Sequence, residues 1–261
     1  GTDEAARAGR VYLAYTMTGG AALLGAVVWT HALAGRLDFQ PGGILAASDA
    51  SAGPLWALFA LFVLGCGVQA SLVPLHTWLP VAMIAPTPVS ALLHAVAVVK
   101  AGGFGLVRVV GFVFGPEVLG DLGAGAALAW LAMATILLGS LAALAQANLK
   151  RLLAFSTVSQ LSYVVLGATL GTPDAFAGGV MHIASHAVLK ITLFFCAGAI
   201  YVATHLERVS ELGGIGRRMP LTMTAFAAAA LMLAGLPPGA GFVSKWRLLV
   251  GAAESAAWLA M

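Results

Sequence analysis

Five apolar stretches, at residues 11–34, 89–111, 124–145, 152–170 and 176–203, are each long enough to cross the hydrocarbon of a bilayer, which takes about 20 helical residues. No water meets the backbone in that layer, so such stretches have to close their own hydrogen bonds as helices. The composition agrees, with 61% of residues hydrophobic and only 9% charged, against roughly 25% charged in a soluble domain. The chain therefore reads as an all-α, polytopic membrane helix bundle. Two further apolar regions are interrupted: 53–85 by Pro74 and Pro80, and 219–261 by Gly235, Pro237, Pro238, Gly239 and Gly241. Proline removes a helix hydrogen bond and glycine loosens the backbone, which predicts two broken helices.

Counting each interrupted region as one crossing gives about seven crossings. Arg7, Arg10, Lys150, Arg151, Arg208, Arg217 and Arg218 then fall on one side, and Arg36 and Arg108 on the other. The positive-inside rule makes the first side, with the N-terminal end, cytoplasmic. The broken helices lie five crossings apart and run in opposite directions, as in an inverted repeat with its transport site at the breaks. The expected organisation is a single membrane domain over 1–261, with part of a first repeat at 1–115 and most of a second at 120–261. No start methionine or signal peptide precedes the first span, and Met261 falls within helix-like sequence, so a piece of a longer subunit is expected. The net charge of +3 comes from scattered basic residues rather than a stripe with aromatics, which argues against nucleic acid. Cys66 and Cys196 lie far apart in apolar spans and read as packing residues.

Charges inside such spans need a reason, and a buried ammonium marks a functional site by default. Lys100 and Lys190 lie deep in apolar sequence, near His94, His182 and His186. His182, His186 and Lys190 are spaced i, i+4, i+8, so a helix aligns them on one face over about 12 Å. Imidazole donates at one nitrogen and accepts at the other, and a desolvated lysine holds its proton less tightly, so such a column can relay protons. The bland alternative is a histidine that hydrogen-bonds across a helix interface. Zinc at His-x3-His is disfavoured by the neighbouring lysine and by the lack of a nearby carboxylate or thiolate. His94 and Lys100 share a predicted helix but lie about 9 Å apart along its axis, too rotated for contact without bridging water. For Lys100 the alternative is snorkelling to an interface. Lys245 follows the second break, where a half-helix end can stabilise a hydrated ion, although Arg247 beside it fits a plain basic interface equally well. Lys150 and Arg151 read chiefly as a topology signal.

The segment Pro74-Leu75-His76-Thr77-Trp78-Leu79-Pro80, followed by Ala85-Pro86-Thr87-Pro88-Val89-Ser90-Ala91-Leu92-Leu93-His94 and Lys100, resembles the antiporter-like subunits of three assemblies. These are proton-pumping NADH:quinone oxidoreductase (complex I), Mrp-type cation/proton antiporters and membrane-bound hydrogenases. Asn148 to Gln160, the His182, His186 and Lys190 set, and Gly241-Phe242-Val243-Ser244-Lys245 extend the likeness over nearly the whole chain. The resemblance implies that His94 and Lys100 belong to a central hydrophilic axis and that Lys245 is a terminal proton site. It also implies a lysine five residues before Pro74, paired with a glutamate on an earlier helix; this chain has Gln69 there. Glutamine cannot carry the proton charge, and no carboxylate within the spans replaces it, since Glu117, Asp121, Asp174, Glu207 and Glu211 read as loop residues.

The function expected from these residues is translocation of protons, with sodium as the competing ion, by one subunit working beside other membrane subunits in a bacterial inner membrane. The proton path comprises His94, Lys100, His182, His186, Lys190 and Lys245. The competing reading is a structural subunit that has lost pumping, for which Gln69 speaks, and a third is a stand-alone transporter. No flavin or dinucleotide glycine motif, iron-sulfur cysteine set or haem motif occurs, so no cofactor is expected. Any redox chemistry of an oxidoreductase-like complex would lie in other chains.

Overall fold

A computed structural model describes residues 2–255, all of its regular elements helical, while the helical reading of 256–261 falls outside the described residues. In chain order the helices are α1 (Asp3–Ala34), α2 (Ala52–Ala70), α3 (Trp78–Val81), α4 (Thr87–Ala95), α5 (Val98–Arg108), α6 (Pro116–Asp121), α7 (Ala124–Leu144), α8 (Leu149–Thr169), α9 (Pro173–Thr204), α10 (Ile215–Arg218), α11 (Pro220–Ala234) and α12 (Ala240–Glu254). Their ends follow ordinary capping chemistry. Thr2, Asn148 and Thr172 each accept a backbone N–H of the first turn of α1, α8 and α9, satisfying donors that a helix start leaves open. Pro173 and Pro220 occupy first-turn positions, where a missing N–H costs nothing.

Among the described residues, six segments are long and apolar enough to cross a membrane: α1, α2, α4 with α5, α7, α8 and α9. The paired α11 and α12 add a further apolar path. Loops gather at two ends. One crevice brings Glu4 together with 146–148, Lys150, Arg151, Glu207 and Arg208. At the opposite end Arg36 and 40–44 approach Glu117. The bundle is a relay of neighbours, with α1 on α2, α2 on α5, α4 on α9, and α7, α8, α9 and α12 in succession. Small residues allow the close crossings, as membrane helices require. A Cβ on Gly178 of α9 would lie 2.8 Å from the Ser244 carbonyl oxygen of α12, and one on neighbouring Gly179 would lie 3.0 Å from the Val164 carbonyl oxygen of α8.

Both proline-interrupted regions are broken as expected. α2 continues to Ala70 and ends at left-handed Ser71, φ 58°. Pro74 lies in the turn that follows, and Pro80 lies within α3, which leads through a 3-10 turn at Ala82–Ile84 into α4. α11 ends at left-handed Gly235, φ 104°, and Pro237 and Pro238 lie in the turn before α12.

The stretch 89–111 differs from expectation. It is not one helix: α4 stops at Ala95, Val96 and Ala97 leave helical geometry (φ −125°, ψ −48° and φ −95°, ψ −90°), and α5 begins at Val98. The N–H groups of Val96 and Ala97 both turn back to the Leu92 carbonyl, at 3.2 and 3.0 Å, which closes α4. α5 then passes into a π-helical turn at Val109–Phe114. His94 and Lys100 therefore stand on separate half-helices.

Candidate functional site

The break at Val96–Ala97 leaves Lys100 in the first turn of α5 and lets its side chain cross to α9, where Nζ meets Nδ1 of His186 in a buried hydrogen bond. That contact joins residues 86 positions apart in the chain. One turn earlier on α9, the rings of His182 and His186 lie 5.9 Å apart. His182 Nδ1 then pairs with Ser244 Oγ of α12 at 2.9 Å, and Ser185 reaches the same hydroxyl at 3.5 Å. Lys245 follows Ser244. Its Nζ lies 5.0 Å from the Tyr163 ring centroid, and that ring is 6.0 Å from His182. Four helices, α5, α8, α9 and α12, thus bring their polar groups into one line.

Lys245 also addresses the end of α11, donating to the Leu233 carbonyl at 2.8 Å and the Ala234 carbonyl at 3.3 Å. The last carbonyls of a helix have no partner within it and carry partial negative charge, so an ammonium there is held by hydrogen bonds and by the helix dipole together. Arg247 has a separate task, forming an ion pair with Asp174 at 2.9 Å. Asp174 stands in the first turn of α9, which corrects its reading as a loop residue. Glu117 and Asp121 similarly belong to α6, and Glu211 belongs to the 3-10 turn Val209–Glu211.

Lys190 makes its hydrogen bond elsewhere. It is fully buried on α9, and its Nζ donates to the Leu153 carbonyl of α8 at 2.8 Å. His94 is also fully buried, its ring 4.9 Å from that of Phe194. Neither of its ring nitrogens has a hydrogen-bond partner among the described residues, and the same is true of Nε2 on His182 and on His186. A buried polar atom left unpaired costs about 1–3 kcal/mol. Gln69 sits half-buried in the last turn of α2. That turn packs on α5 so tightly that a Cβ on Gly102 would lie 2.6 Å from the Gln69 carbonyl carbon. Here Trp78 Nε1 donates to the Val68 carbonyl at 2.8 Å.

Sequence reasoning overlooked Tyr163, Ser185 and Ser244 as members of the line. Ser244 was readable as the neighbour of Lys245, whereas Tyr163 carries no signal, since its place depends on how α8 packs beside α12. Among the described residues no group of three or more His, Cys, Asp or Glu side chains converges to hold a metal ion.

The family described as NADH:quinone oxidoreductase/Mrp antiporter, TM, matches residues 1–261. NADH-quinone oxidoreductase subunit N of Desulforudis audaxviator is 41% identical over 253 residues, covering 95% of this chain and 50% of that protein. A probable K(+)/H(+) antiporter protein of Rhizobium meliloti is 37% identical over 94% of this chain and 24% of its own length. The chain thus spans half the length, or less, of these curated relatives. Among solved structures, a chain of the Mrp complex from Dietzia sp. DQ12-45-1b superposes with a TM-score of 0.86 at 28% identity, over 98% of this chain and 46% of that one. A chain of the membrane-bound sulfane sulfur reductase, an archaeal respiratory membrane complex, also reaches 0.86, at 29% identity over 97% of this chain and 51% of that one.

Proposed function

The chain belongs to the NADH:quinone oxidoreductase/Mrp antiporter transmembrane family, and from that membership we propose that it conducts protons across a membrane as one member of a multisubunit complex. One observation carries the reading: two buried hydrogen-bonded pairs, Lys100 with His186 and His182 with Ser244, stand with their imidazole rings 5.9 Å apart in a line that ends beside Lys245. In the step proposed, Lys100 gives a proton to Nδ1 of His186, and the ring releases one from Nε2, so that charge advances while each ring returns to a neutral tautomer. The unpaired Nε2 atoms of His182 and His186, and both nitrogens of His94, are where water would complete the path, since a polar buried site holds water when it offers such partners. Lys190, bound to the α8 backbone, stands on the same helix as the two histidines of the line.

Protons fit the line better than sodium, because sodium prefers a cage of oxygen ligands and the line offers mainly nitrogens. Moving one charge against 100 mV costs about 2.3 kcal/mol, so the energy would come from redox or ion chemistry in partner subunits. The basic residues support a cytoplasmic N-terminal end in a bacterial inner membrane, since Lys150, Arg151 and Arg208 share one end with Glu4 and short basic loops stay in the cytoplasm. The two breaks support the division into repeats at 1–115 and 120–261.

The test is proton uptake by proteoliposomes carrying the complex with Lys100→Ala or His186→Ala in this chain. A drop of at least about tenfold with normal assembly is expected, the scale for losing a positioned proton-transfer group. Unchanged uptake would sink the proposal. A structural subunit without pumping is the second reading, favoured by Gln69, and unchanged uptake is what it requires.

A further inference from the structure

The end of the bundle that holds Lys150 carries a groove that the lysine-histidine line does not use. Its volume is about 590 Å³, and it runs between residues 84–88 and the outer face of α9 at Phe195, Ala199 and Val202. Phe195 and Val202 are 53% and 77% exposed, so the furrow opens sideways along the outer flank of α9. Its floor is a close crossing, for a Cβ on Gly198 would lie 2.7 Å from the Thr87 side chain. At its mouth the Lys150 ammonium lies 5.6 Å from the Tyr201 ring centroid, and an amphipathic aromatic at that level is typical of a membrane interface.

A second crevice, of about 560 Å³, continues from this mouth, shares Ile84, Lys150 and Glu207 with it, and adds Arg151 and Arg208. The lining carries three cations against Glu4 and Glu207, and Glu207 already accepts a hydrogen bond from the Asn148 amide at 2.9 Å. None of the three cations takes part in an ion pair among the described residues. Lys150 and Arg151 also lie in the first turn of α8, where the helix dipole adds positive potential.

An apolar furrow open along the flank of a membrane-crossing helix, a tyrosine and an excess of cations at one mouth point to a single kind of occupant. We infer that an anionic phospholipid binds here, one acyl chain along Phe195, Ala199 and Val202 and its phosphate against Lys150, Arg151 and Arg208. Juxtamembrane cations attract anionic lipid in this way. A helix about 10–12 Å across with its side chains could lay only a ridge of them into such a furrow.

The test uses the protein purified from its own membranes in its complex. Retained lipid is read by mass spectrometry, and the thermal midpoint is followed after delipidation and addition of phosphatidylglycerol, phosphatidylcholine or inorganic phosphate. Phosphatidylglycerol should be retained at least about fivefold above its bulk ratio, the discrimination that about one effective cation contact gives, and it alone should restore the midpoint. Ala199→Trp, which fills the furrow from its lipid side, and Lys150→Ala combined with Arg208→Ala should each abolish the enrichment, while Arg217→Ala, elsewhere in the basic loops, should leave it intact. Lipid retained at the bulk ratio, or enrichment unchanged in both groove variants, overturns the inference. Recovery with phosphate alone, or capture of a protein helix by a photocrosslinker at Val202, overturns it in favour of a free-anion site or a contact with another protein.

Discussion

The two broken crossings face the same problem and solve it with different chemistry. Each ends a helix part-way along an apolar crossing and leaves its last carbonyl oxygens without partners in that helix. After α11 the solution is a charge, since Lys245 donates to the Leu233 and Ala234 carbonyls. After α2 the solution is neutral: Ser71 turns left-handed and returns its N–H to the Gly67 and Val68 carbonyls, while the indole of Trp78 donates to Val68 at 2.8 Å. Lys245 and Trp78 thus hold equivalent posts, and only one of them can move a proton. A break in a membrane helix supplies acceptors, and the residue that fills them decides whether the break is electrically active.

The largest test of that contrast is transport. Lys245→Ala should lower proton uptake by about tenfold or more, while Gln69→Ala, which removes no titratable group, should change it less than about twofold under the same conditions. Similar losses at both positions would erase the distinction. Stability gives the intermediate effect: Trp78→Phe removes the indole donor and leaves the Val68 carbonyl with the Ser71 N–H alone, and should cost about 0.5–1.5 kcal/mol, read as a lower denaturation midpoint in detergent with little change in uptake by the surviving protein. The smallest effect is expected from Gln69→Lys. With the Gly67 and Val68 carbonyls already served by backbone N–H groups and by Trp78, those two acceptors are not free to hold the new ammonium as Leu233 and Ala234 hold Lys245, so uptake should stay within about twofold of the parent, as for a change outside the transfer path. A clear gain would show that the neutral break is one substitution away from activity. The line itself can be checked by a double-mutant cycle on Lys100 and His186, whose coupling should fall within about 0.5–3 kcal/mol for contacting residues.

These contrasts also show where the sequence was legible. Apolar length located the spans, and proline with glycine located the breaks after α2 and α11, because those residues remove or loosen backbone hydrogen bonds. The break at Val96–Ala97 was hidden. No proline or glycine marks it, and Ala95-Val96-Ala97-Val98-Val99 reads as ordinary span sequence. Yet this break sets Lys100 on its own half-helix in contact with His186. The spacing of His182, His186 and Lys190 showed that they share a helix but not their partners, since Leu153, Ser244 and Lys100 approach from other helices. Partners of that kind depend on crossing geometry, which periodicity within one helix does not encode. Membership in the family was legible from motifs in order.

The paired glycines of α9 have a consequence for motion. Gly178 abuts α12 and Gly179 abuts α8, with 2.8 and 3.0 Å to the nearest backbone oxygens from where a Cβ would stand. A helix turns by about 100° per residue, so rotating α9 by one position would drive Ala177 or Val180 into spaces that admit only hydrogen. The histidines on α9 therefore ride an axle that is locked on two sides. Switching along the line has to come from side-chain torsions and from the half-helix ends at Val96–Ala97 and Gly235–Gly239, so the gate is one of bond rotation within a fixed frame.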